Sequence, residues 1–254
     1  MTIETVQVNG LALAREITGD PSGIPVLLLH GWGGKIEVMQ SVANGLAMRG
    51  CCVHNLDLAG FGRSDLPPES WGVPEYAAQV AAYLDLAAFK PVTLIGHSFG
   101  GRVSIVLGAE YPQHVTKIVL TDSAGVITPP NGKAKLISMG KAALRLPGLN
   151  LLEKPLRQIA KNALGSEDLK QAGALEPVFR RVVTQDLVPY AARIAAPTLL
   201  IWGDQDQDTP LWQAQVLEKT IADAGLVVFQ GAGHFAYQEC LPKFLQIVET
   251  FLKG

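Results

Sequence analysis

Charge is scarce in this chain of 254 residues: only 17% are Asp, Glu, Lys or Arg. Twenty-one basic and 23 acidic residues leave a formal net charge of -2, with neither a basic stripe nor an acidic block. That balance gives no electrostatic reason to expect nucleic acid as a partner. Cysteine is nearly absent, at three residues. Cys51 and Cys52 are adjacent and Cys240 is remote, so at most one bridge is plausible, and the pattern fits a reducing compartment. Long apolar runs are missing too. The stretches 25–29 and 198–202 are far too short to span a bilayer, and residues 1–10 lack the basic and apolar regions of a signal peptide. A cytoplasmic protein without a membrane partner is expected, as a monomer or homodimer. What the chain does have is apolar content, 48% hydrophobic residues with a mean hydropathy of +0.22, enough for strands buried on both faces.

The order of elements follows from patterning. Segments 5–8 and 11–16 flank Asn9-Gly10, a strong signal for a two-residue hairpin. Apolar, β-branched runs follow at 26–29, 51–56, 92–95, 116–120, 198–202 and 226–229, with helix-length stretches at 36–49, 74–89, 100–111 and 241–252 between or after them. A hairpin leading into alternating strands and helices predicts an α/β domain: a mostly parallel, eight-stranded sheet with helices on both faces. The interval 126–192 breaks this rhythm. It holds no strand run and carries prolines at 129, 130, 147, 155, 177 and 189, which predicts short helices separated by proline stops. Because strands resume at Thr198, it reads as a helical cap inserted in one domain, the core being 1–125 and 193–254.

Gly96-His97-Ser98-Phe99-Gly100-Gly101 follows a strand and opens a helix. A sharp strand-to-helix turn crowds the backbone, so glycines must flank the serine whose Oγ is to project free of the sheet. The helix start beneath it offers unpaired N–H groups where an oxyanion would form. Ser98 is therefore a candidate nucleophile rather than a simple helix cap. His30-Gly31-Trp32-Gly33-Gly34, after another strand, can turn backbone N–H groups toward the same charge. Trp32 and Phe99 are the candidate donors, and His30 is expected to support its loop by hydrogen bonding.

Among five histidines, His54 lies within a strand, His97 sits on a turn expected to point it elsewhere, and His114 follows Tyr111-Pro112 in a surface-like loop. His234 differs. Gly231-Ala232-Gly233 sets it on a tight loop just after a strand, and parallel sheets gather such loops on one edge. His234 is the candidate base. The acid is less determined, because Asp204, Asp206, Asp208 and Asp122 all follow strands and precede His234. The alternating aspartates do not make a calcium loop, since its sixth and twelfth positions hold Thr209 and Gln215 in place of Gly and Glu. No metal or cofactor is expected.

These motifs together resemble the α/β-hydrolases, specifically single-chain, small-cap serine esterases. The resemblance runs from His30-Gly31 to the closing helix. It includes Asp57-Leu58-Ala59-Gly60-Phe61-Gly62-Arg63-Ser64, similar to the family's D-x-x-G-x-G-x-S loop, and Gly233-His234 with Glu239 and Pro242 downstream. Gly203-Asp204-Gln205-Asp206 resembles the G-x-x-D that bears the family's catalytic acid, which implies that role for Asp206. Aspartate-nucleophile relatives are argued against by Ser98. Carbon–carbon hydrolases of aromatic degradation usually carry Asn before the serine and Trp shortly after the histidine, where this chain has His97 and Phe235-Ala236-Tyr237. The implied activity is cleavage of a carboxylic ester of a small to medium apolar acyl group through an acyl-enzyme. A carbon–carbon hydrolase, or a receptor-like homologue with slow hydrolysis, is the alternative. Met139, Leu144, Leu146 and Leu149 are candidate acyl-pocket residues in the cap.

Overall fold

The computed structural model describes residues 2–89, 91–126 and 172–254. Its sheet has eight strands: β1 (Ile3–Val8), β2 (Leu11–Thr18), β3 (Ile24–Leu29), β4 (Cys51–Leu56), β5 (Val92–His97), β6 (Val115–Thr121), β7 (Thr198–Gly203) and β8 (Ala224–Phe229). They lie in the order β1-β2-β4-β3-β5-β6-β7-β8. Val8 pairs with Leu11 across Asn9 and Gly10, which both take positive φ, 49° and 82°. That is the left-handed geometry a two-residue hairpin requires. β2 is antiparallel to β1 and β4, and the other pairings are parallel.

Two apolar layers cover the sheet, and β3 shows how one strand feeds both. Leu27 and Leu29 join a cluster with Leu94, Val103, Leu107 and Leu217, under α2 (Val73–Leu86), α3 (Phe99–Glu110) and α6 (Trp212–Thr220). Val26 and Leu28 join Ile95, Met39, Phe244 and Val248, under α1 (Ile36–Ala47) and α8 (Leu241–Lys253). Alternation with period two serves both faces, so the central strands read as continuous apolar runs. α8 buries Phe244, Leu245, Val248 and Leu252 along one stripe, each burial being worth about 1.5–3 kcal/mol.

Sequence patterning missed α6 and the short α7 (Ala236–Glu239). α6 mixes polar residues through its turns, Trp-Gln-Ala-Gln-Val-Leu-Glu-Lys-Thr, so its apolar stripe is thin. Within 126–192, residues 127–171 lie outside the described residues, and with them Met139, Leu144, Leu146 and Leu149. The rest holds a 3-10 turn (Gly173–Leu175), α4 (Glu176–Val182) and α5 (Val188–Ala191). Pro177 and Pro189 sit in the first turns of α4 and α5, where a missing N–H costs nothing. Here the prolines start helices instead of stopping them. This segment is fastened to the core: Gln185 Oε1 accepts from Val73 N at 2.8 Å, and Leu187 N donates to Gly125 O at 2.9 Å.

β3 is where the strand order reverses, with β4 on one side and β5 on the other. The loops leaving β3 and β5 diverge there and open a crevice at the carboxyl edge of the sheet.

Candidate active site

Ser98 occupies that crevice between β5 and α3 with φ 49° and ψ -108°. Positive φ in a non-glycine residue is a strained conformation held by its surroundings. Here Ser98 N donates to Thr121 O at 3.3 Å, and Ser98 O accepts from Arg102 N and Ala124 N, both at 3.2 Å. Close packing explains the glycines around it. A Cβ on Gly100 would lie 2.1 Å from Leu29 O, and one on Gly31 would lie 2.8 Å from His97 Nδ1 and 3.3 Å from the Ser98 Cβ. The loop after β3 therefore runs directly against the serine. Among the described residues, neither Trp32 N–H nor Phe99 N–H has a hydrogen-bond acceptor. Both residues line a cavity of about 470 Å³ together with Ser98 and His234.

His30 holds this loop, with Nδ1 donating to Gly31 O at 2.7 Å and Nε2 accepting from Leu58 N at 3.0 Å. The pair of contacts fixes its tautomer and matches its expected supporting role. Asp57 does similar work one strand over, accepting from Ile36 N and Arg63 N.

Of the four aspartates weighed, Asp206 is the one bonded to His234, with Oδ2 2.9 Å from Nδ1. Asp204 instead accepts from Gly231 N at 2.7 Å, and Asp208 stands exposed beside the cavity. Asp122 accepts from Gly203 N and Ala236 N, tying the end of β7 to the histidine loop. Burial pushes Asp122 up to about 7, against the pull of the Gly203 N–H. Asp206 is saturated: Oδ1 takes Asp208 N (2.8 Å) and Thr209 N (3.0 Å), while Oδ2 takes Thr209 Oγ1 (2.6 Å) and His234. Burial pushes its carboxyl up, but the donors from His234 and Thr209 outweigh that, and it lies below its ordinary value. On His234, burial acts downward and is outweighed by the Asp206 bond and charge, which hold it above the ordinary histidine value. Asp206, Asp208 and His234 bring ligand atoms within 4.8 Å of one another. With about four lone-pair sites on a carboxylate and four donors already on Asp206, this trio has no acceptor left on that residue for a metal.

Two histidine expectations are corrected. His97 does not point elsewhere. Its Nε2 donates to His234 O at 2.8 Å, and the two rings lie 4.9 Å apart. The shared turn geometry sends the side chain of the residue before Ser98 across to the histidine loop. Burial, reinforced by the charge of His234, lowers its pKa to about 3, so it stays neutral. His114 is not on the surface either. It is 3% exposed, in the 3-10 turn before β6, because Tyr111 and the turn fold it inward. His54 is buried in β4, stacked on Phe89 and bonded to Tyr83.

Sequence reasoning also passed over Thr209, whose hydroxyl braces Asp206; its position three residues on, in an Asp-x-x-Thr turn, was the available signal. Phe179 of α4 was missed as well. It packs 4.8 Å from Trp32 in an edge-to-face contact and brings the segment beyond residue 171 onto the cavity.

Comparison with known proteins places this chain among the alpha/beta hydrolases. The profile of the Alpha/beta hydrolase family matches residues 26–243. An uncharacterised protein of Mycobacterium tuberculosis is 30% identical over 99% of this chain and 81% of its own. Lipase 1 of Psychrobacter immobilis is 27% identical over 92% of this chain and 78% of its own. The 2-hydroxymuconate semialdehyde hydrolase of Pseudomonas sp. is 27% identical over 91% and 87%.

Proposed function

For a chain that belongs to the alpha/beta hydrolase family, we propose the activity of a serine esterase, cleaving a carboxylic ester through an acyl-enzyme on Ser98. The observation that carries this reading is a cavity lined by Ser98, His234, Trp32 and Phe99, the last two with backbone N–H groups that have no acceptor among the described residues. His234, oriented by Asp206 at 2.9 Å, takes the Ser98 proton as Oγ attacks the ester carbonyl. The Trp32 and Phe99 N–H groups receive the oxyanion, each worth about 3 kcal/mol to the transition state. His234 gives the proton to the departing alcohol. It then removes one from water, whose oxygen attacks the acyl carbon and releases the acid and free Ser98.

Asp206 fixes the tautomer, with Nδ1 protonated and Nε2 free to act as base. Its carboxylate also stabilises the imidazolium formed on the way. The relative that hydrolyses 2-hydroxymuconate semialdehyde supports a second reading, carbon–carbon bond hydrolysis with the same groups. Turnover of short and medium-chain p-nitrophenyl esters, compared with Ser98→Ala, tests the esterase reading. The esterase reading expects turnover that the variant loses. Absence of wild-type turnover at every chain length would overturn it.

A further inference from the structure

Arg102 sits one helical turn after the nucleophile, its N–H donating to Ser98 O at 3.2 Å. The residue is 9% exposed, yet it lines the same cavity as Ser98. It is the only Lys or Arg among the described residues that do so. A buried guanidinium normally faces a carboxylate, because an uncompensated buried charge is costly. None of the ion pairs among the described residues includes Arg102. Nη1 donates to two neutral carbonyls, Val182 O at the end of α4 at 2.8 Å and Gln185 O just beyond it at 3.1 Å. Nε and Nη2 donate to no acceptor among the described residues, and neither is sealed off as a buried orphan. Burial draws the guanidinium down to about 10, with the charge of Asp186 acting the other way.

We infer that Arg102 is an anion-binding subsite of the cavity, and that the acyl chain delivered to Ser98 ends in a carboxylate. This inference rests on the Ser98 reading and gives its substrate a chemical class: the hemiester of a short dicarboxylic acid. The planar Nε/Nη2 edge of a guanidinium matches two carboxylate oxygens. Arg102 follows Ser98 by one helical turn, about 6 Å of axial rise for four residues, on the same cavity, and Phe179, Val182 and Val183 supply an apolar wall for the methylenes between the two groups. The contacts to Val182 O and Gln185 O hold the guanidinium in place, so binding requires little reorganisation.

The test compares monoethyl glutarate with ethyl pentanoate, esters that differ in the far carboxylate, by calorimetric titration of Ser98→Ala, which cannot turn them over. The subsite predicts at least tenfold tighter binding of the hemiester. Arg102→Gln in that background should abolish the preference and Arg102→Lys should retain part of it, with thermal melts reporting whether each variant folds. Equal binding of the two esters, or a preference that survives Arg102→Gln, overturns the subsite. A purely structural Arg102 would weaken both ligands alike and leave their ratio intact. Arg102-dependent binding in a wild-type protein that turns over no ester would keep the subsite and sink the esterase reading. Ester turnover without carboxylate preference would do the reverse.

Discussion

The nucleophile turn and the acid turn stand on the same edge of the sheet and are built by opposite means. Around Ser98 the geometry comes from the backbone: positive φ at the serine and glycines with no room for a Cβ, Gly100 against Leu29 O and Gly31 against His97. Around Asp206 it comes from hydrogen bonds, four donors on one carboxylate and a threonine bracing it. A steric device tolerates no substitution at its crowded positions. A hydrogen-bonded device weakens in steps as donors are removed.

The largest effect should come from the nucleophile itself: Ser98→Ala is expected to cut ester turnover by about 10⁴–10⁶-fold, read in steady-state kcat. Asp206→Asn should follow at about 10⁴-fold, whereas Asp204→Asn, which keeps the acceptor for Gly231 N, should change kcat/KM by no more than about twofold. Equal damage from the two would erase the special status of the saturated carboxylate.

The comparison also has a pH signature. His234 must be neutral to act, and its pKa is raised, chiefly by Asp206 against the opposing burial. Activity should therefore be lost as pH falls through a value above the ordinary ~6.5. A pH–kcat/KM profile with its acid limb at or below that value would contradict the pairing. Smaller losses separate the bracing groups. Thr209→Val removes one charge-assisted donor and should cost about ten- to a hundredfold in kcat. His97→Ala frees the His234 carbonyl and should cost roughly tenfold, partly restored by a donor in His97→Asn.

That same contrast explains how far the sequence could be read. The steric device writes itself into residue types: G-x-S-x-G after a strand, and Gly31 and Gly34 beyond His30, are visible because a Cβ would clash there, while Gly33 has the room but a positive φ. The sheet was legible for a related reason, since strands such as 92–97 are buried along their whole length. The acid turn was not legible from spacing, because Asp204, Asp206 and Asp208 are chemically alike and only the turn's dihedrals decide which one meets His234. Family resemblance singled out Asp206, and in the structure Asp206 is the aspartate that bonds the imidazole. His97 escaped notice because its contact with His234 spans 137 residues of chain, a separation no local pattern encodes. Thr209 and Arg102 are ordinary residue types whose partners come from turns and helix ends.

The most direct test of Ser98 as the nucleophile is covalent labelling with diethyl p-nitrophenyl phosphate, followed by intact and peptide mass analysis. One diethylphosphoryl addition is expected, on Ser98, formed faster as His234 loses its proton and absent from Ser98→Ala. Addition at another residue, or continued ester turnover with Ser98 unmodified, would contradict it.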